Sequence, residues 1–205
     1  MVTPIDMSLA TQISVGGSNI VERLLQCPNQ DCQRLFIARY IQGIGSTIFQ
    51  LRSCVPNELR KEEQTETISK ISTDFCSIYD EAHKAEQYGL ALIAGPGYRK
   101  ALEFLIKDYI VSKIVEEDPE KKAAQVKVVR ETFLGKCIGD FVRNDNIKEM
   151  AKRAVWLGND ETHYERKWET KDVSDLKKLI SATKYWIEME TLTADVISDM
   201  PQDKS

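Results

Sequence analysis

Tyr98-Arg-Lys-Ala-Leu-Glu-Phe-Leu-Ile-Lys-Asp-Tyr-Ile110 settles the fold class. Tyr98, Ala101, Leu102, Leu105, Tyr109 and Ile110 recur at the three- and four-residue spacing of one helix face. Glu103 and Lys107 stand four apart with the acid first, the favourable order on a solvated helix side. Just before this stretch Gly95-Pro96-Gly97 interrupts the chain, and Pro96 fits a first helical position. The period continues in both directions. Upstream, Ile68, Ile71, Phe75, Ile78, Tyr79 and Ala82 predict one helix from Glu66 to Tyr88. Downstream, Pro119 starts a third helix with Val126, Val129 and Phe133 inward. Ile147, Met150, Ala151 and Ala154 mark a fourth that ends near Gly158. Asp172 can cap a fifth, with Leu176, Leu179, Ile180, Thr183, Trp186 and Ile187 on one face. The fold class is mainly α, a helical bundle over residues 68–200, with a polar tail from Pro201.

Before Pro56 the character changes. Asn19 could cap a short helix carrying Ile20, Val21, Leu24 and Leu25. Cys27-Pro-Asn-Gln-Asp-Cys32 is a knuckle-like turn. Gln33 to Ile41 and Ser46 to Ser53 are rich in β-branched and aromatic residues, with Gly43 and Gly45 between them, and predict a small β-hairpin. Residues 1–56 therefore form a small ribbon-like β subdomain, and the polar residues 57–67 a linker.

With 42% apolar residues the 205-residue chain can bury a sizeable core. A net charge of −4 and a pI of 5.4 exclude a broadly basic nucleic-acid coat but leave room for a local basic patch. No apolar run approaches the ~18 residues that span a bilayer, and Met1 to Val15 has neither the basic start nor the apolar core of a signal peptide. The expectation is a cytoplasmic protein without a membrane partner. Only His83 and His163 are present, which excludes mechanisms that need several histidines.

Three groups of residues are candidate sites. Cys27 and Cys32 have the spacing of a zinc knuckle, and Cys54 follows the hairpin, but tetrahedral zinc needs four ligands and a second pair is missing. The expectation is a degenerate, cofactor-free ribbon, with zinc on Cys27, Cys32 and Cys54 as the alternative. Gly158-Asn-Asp-Glu-Thr-His163 reads as a helix-ending glycine, a turn and an imidazole close to Asp160, Glu161 and Arg166. That imidazole is either bonded within the turn, where it supports local structure, or it is a general base or an RNA contact. Tyr98, Arg99 and Lys100 follow the glycine turn at a helix start, where anions can bind; the alternative is a solvated stripe. Trp156, Trp168 and Trp186 read as core or interface positions rather than as base-stacking platforms.

Taken together, Tyr79-Asp-Glu-Ala82, Ala94-Gly-Pro-Gly-Tyr-Arg-Lys-Ala-Leu-Glu-Phe-Leu-Ile-Lys107 and Leu157-Gly-Asn-Asp-Glu-Thr-His163 resemble the domain-of-unknown-function family 4145, a helical group similar to the HEPN superfamily. The resemblance covers roughly Ser69 to Val196, and the Cys27–Cys32 knuckle is similar to the ribbon that often precedes that domain. It implies a HEPN-like helical bundle, a homodimer and an association with restriction or anti-phage defence, with a partner protein or RNA/DNA as ligand. Asn159 joins Tyr98, Arg99 and Lys100 as a binding candidate. HEPN relatives that cut RNA use an arginine a few residues before a histidine. His163 matches the histidine, but Val155, Trp156 and Leu157 occupy the place of the arginine. Arg153 lies about 15 Å before His163 along a continuous helix, and Arg166 follows it. That departure favours a non-catalytic interaction module. The alternative is a metal-independent ribonuclease using His163 with Arg153 or Arg166.

Overall fold

A computed structural model describes residues 5–15, 17–56 and 59–200. The chain divides into two compact units, Met1–Leu59 and Arg60–Ser205. The tail expected from Pro201, and Asn57 and Glu58 of the expected linker, lie outside the described residues.

The first unit is a four-stranded antiparallel meander, in sheet order β1 (Ile5–Val15), β2 (Ser18–Gln26), β3 (Leu35–Gln42) and β4 (Gln50–Val55). The hairpin expected between residues 33 and 53 is present as β3 and β4, and two further strands extend it. The helix expected after Asn19 is strand β2. Ile20, Val21, Leu24 and Leu25 fit a helical stripe locally, but Ile41, Tyr40, Ile37 and Phe36 stand directly opposite them on β3. This apolar run gains its β3 ladder from residues 11 to 21 positions away, and tertiary pairing overrides a weak local preference. The Cys27–Cys32 turn is held by Cys27 N–H to Arg34 O (2.9 Å) and by Cys32 and Gln33 N–H to Asn29 O (both 3.0 Å).

The second unit contains α1 (Glu66–Ile71), α2 (Thr73–Gln87), α3 (Ala91–Ser112), α4 (Pro119–Glu131), α5 (Leu134–Phe141), α6 (Asp145–Asp160) and α7 (Val173–Asp199). None of them is long and apolar enough to cross a membrane. The central helix is α3, whose Tyr98, Ala101, Leu102, Leu105 and Ile106 are fully buried, with α2, α5, α6 and α7 packed round it. Leu102, Leu105 and Ile106 each contribute about 1.5–3 kcal/mol by leaving water. The cap expected from sequence is in place: Asp172 closes a reciprocal capping box with Asp175. At the expected Pro119 start of α4, Asp118 accepts from Glu120 N–H at 2.9 Å.

Five details differ from the sequence reading. The helix expected over Glu66–Tyr88 breaks at Ser72, whose hydroxyl caps α2 at Phe75 N–H (3.1 Å) while donating to Asp108 Oδ2 (2.5 Å). Helix α3 begins at Ala91 instead of Pro96, because Ile93 and Ala94 N–H both reach Leu90 O (3.0 Å) and one proline costs only one bond so near a solvated helix end. Phe133 is 88% exposed, since Thr132 ends α4 and Leu134, Cys137 and Ile138 of the short α5 supply the buried face. Trp186 is 39% exposed instead of facing the core. Helix α6 runs past Gly158 to Asp160, and Gly158 serves packing there: a Cβ on it would lie 2.5 Å from Arg99 Cδ.

Candidate functional site

The last turn of α6 organises the surface around His163. Asp160 is buried, and its Oδ2 accepts the backbone N–H groups of Lys167 (2.8 Å) and Trp168 (2.6 Å). Those two bonds fold the following loop back onto α6. The Trp168 ring then lies parallel to the Trp156 ring, 6.4 Å between centroids and 6° between planes. Both indoles stay nearly half exposed, at 47% and 44%. Arg153, one turn before Trp156, sits 5.8 Å from the Trp156 ring centroid, a cation–π distance. Its guanidinium is also held by Glu149, at the backbone oxygen (2.9 Å) and the carboxylate (2.5 Å).

Two hollows flank this indole pair. One, of about 680 Å³, is lined by Asn159, Asp160, His163 and Lys167 with both tryptophans. The other, of about 260 Å³, is lined by Arg153, Leu157, Lys171 and Asp175 with the same two tryptophans. Arg153 lines the second hollow and His163 the first, so the two residues that a ribonuclease would bring together line different hollows that share the tryptophans. Arg166 is committed elsewhere, donating to Glu161 Oε1 and to Lys171 O, both at 2.8 Å.

The His163 imidazole is exposed, and it makes no hydrogen bond to any described residue; only its backbone N–H is bonded, to Asn159 O at 3.0 Å. This corrects the expectation of an imidazole bonded within the turn. The turn is closed by backbone and by Thr162, so the side chain is left in solvent.

The binding candidates on α3 separate. Tyr98 is fully buried, and its hydroxyl donates to Glu86 Oε2 at 2.5 Å. Burial, and then the Glu86 carboxylate, push this phenol far above its ordinary range, so Tyr98 is a core group and not a ligand contact. Arg99 binds Asn159 Oδ1 and Glu103 Oε2, both at 3.1 Å, and so links α3 to the end of α6. Lys100 is exposed. No anion site is built from the three.

Sequence reasoning missed a polar cluster inside the helical unit. Glu86 accepts from Tyr98 and from Lys177 Nζ (2.9 Å), and His83 Nδ1 lies 3.2 Å from the Tyr98 hydroxyl. Burial opposes ionisation of Glu86, but the bonds from Tyr98 and Lys177 outweigh it and hold the carboxyl below its usual range. The only local signal is the three-residue spacing of His83 and Glu86; Lys177 arrives from 91 positions away. All five cysteines are free thiols. Among the described residues no three His, Cys, Asp or Glu side chains gather as a metal would require, so Cys27, Cys32 and Cys54 do not come together as a ligand set.

The chain matches no family model, no curated protein and no solved structure with which it was compared.

Proposed function

We propose that the chain is a non-catalytic interaction module, an accessory protein of a restriction or anti-phage defence system, and that the Trp156–Trp168 surface is where it meets a partner protein or nucleic acid. One observation supports this reading: Arg153 and His163 line different hollows that share the stacked indoles, and Arg166 is bonded to Glu161 and Lys171. Half-exposed tryptophans with an arginine on one face are also the composition of contact surfaces, where aromatic rings and Arg are enriched. Lys167 and Lys171 add positive charge beside Asp175 and Glu165, a mixed rim that suits a specific contact better than a general hold on phosphate.

Binding is tested with a short labelled single-stranded RNA of mixed sequence, in EDTA, followed by fluorescence anisotropy. Saturable binding, weakened about tenfold or more by Trp156→Ala as loss of a stacked base predicts, assigns the nucleic-acid partner to this surface. Equal binding by wild type and Trp156→Ala removes the tryptophans from the proposal.

The second reading, a metal-independent ribonuclease, draws on one feature. The exposed, unbonded His163 imidazole lies on the larger hollow, where it is free to move a proton.

A further inference from the structure

Within the N-terminal unit, taken by itself, no second layer among the described residues packs on the face of the sheet that carries Ile37. Along β3, Phe36, Ala38 and Tyr40 point to one side and Leu35, Ile37 and Arg39 to the other. Ala38 is buried, while Leu35 and Ile37 remain 49% and 42% exposed. Residues directly opposite in a ladder share a face. Leu24–Ile37–Val55 and Ile13–Ile20–Ile41 therefore form two aliphatic rows on the exposed side. Between the rows lies Glu22 paired with Arg39, whose Nε donates to Glu22 Oε1 at 2.7 Å.

The position of this ion pair has a consequence for symmetry. Strands β2 and β3 are the middle two of four, so the pair lies at the centre of the sheet. Let a second copy face the first across a two-fold axis that runs parallel to the strands over the pair. Then β2 lies on β3 of the second copy and β1 on β4. Each aliphatic row meets its counterpart, and each Glu22 carboxylate faces an Arg39 guanidinium. A two-fold axis across the strands would instead set Glu22 against Glu22, so charge selects the first arrangement. The size is also adequate. Four strands ~4.8 Å apart and eight residues long at ~3.4 Å per residue present on the order of 500–700 Å². The smallest specific interfaces bury about 600 Å² per partner.

We propose that this face is a homodimer contact, in which a second copy of the chain packs sheet on sheet with Glu22 and Arg39 forming a four-charge centre. The contact is independent of whatever binds at Trp156 and Trp168.

Sedimentation velocity on the full chain, from low to high micromolar, tests it. The expected result is a concentration-dependent species of twice the 23.4 kDa chain mass. Ile37→Lys places like charges in facing rows and should raise the dissociation constant by about tenfold or more, with an unchanged circular dichroism spectrum. Glu22→Arg and Arg39→Glu should each weaken the dimer, and the double reversal should restore it. A dimer that survives both single reversals overturns the proposal, even if Ile37→Lys misfolds. A wild-type chain that stays monomeric also overturns it.

Discussion

The carboxylate of Asp160 captures two backbone N–H groups seven and eight residues further along, and this capture lays Trp168 against Trp156. Removing it leaves two donors to find water and releases the loop. Asp160→Ala should therefore cost about 1–3 kcal/mol and shift the tryptophan emission to the red. Thermal melting and an emission spectrum check both; an unchanged spectrum would mean the indoles are placed by something else. His163 should behave in the opposite way. Its imidazole touches no described polar group, so His163→Ala should change stability by no more than about 0.5 kcal/mol, measured by urea unfolding. This reverses the sequence expectation, and the reason is physical. A histidine beside Asp160, Glu161 and Arg166 in sequence looks well supplied with partners, but Asp160 turns inward to the backbone and Glu161 binds Arg166.

At the scale of elements, the apolar period alone made α3 legible, and α4 and α7 add a signal at the helix start. Helix α7 has Asp172 and the stripe from Leu176 to Ile187, and α4 has Asp118 and Pro119. The break at Ser72 was hidden because the apolar period runs straight through it; the reason for the break is Asp108, 36 residues away. Strand β2 was misread because its partner, not its own sequence, decides between stripe and ladder. Close approach of α2 and α3 rests on Gly97, where a Cβ would lie 2.9 Å from Ala82 Cβ. Gly97→Ala should destabilise by about 1–3 kcal/mol, because neither backbone can yield without moving a helix; calorimetry checks it. Glu86 ties α2 to α3 and α7, and its pKa is depressed on folding. A depressed carboxyl contributes stability above its unfolded value and loses it as protonation sets in. The melting temperature should therefore fall as pH drops below 4.5, and more steeply in wild type than in Glu86→Gln. Equal slopes would show that other carboxylates carry the acid sensitivity.

At the scale of the whole molecule, the mainly helical class was readable from apolar periodicity, and the β hairpin of the N-terminal part from its β-branched and aromatic runs. The candidate site was readable only in outline. His163, Arg153 and Asn159 were named as candidates, and Trp156 and Trp168 as core or interface positions, but the stacking of the two indoles was not legible, because Trp168 reaches Trp156 through a hydrogen bond that no spacing rule announces. That stack sets two half-exposed indoles beside the histidine-bearing turn, shared by the hollow that His163 lines and the one that Arg153 lines. The most direct measurement is RNA turnover. Purified full chain and His163→Ala are incubated with a mixed RNA pool in EDTA, and folding is followed by circular dichroism in parallel. The account predicts full-length RNA in both. RNA cut by wild type and spared by a normally folded His163→Ala would contradict it and assign the chain to the ribonucleases.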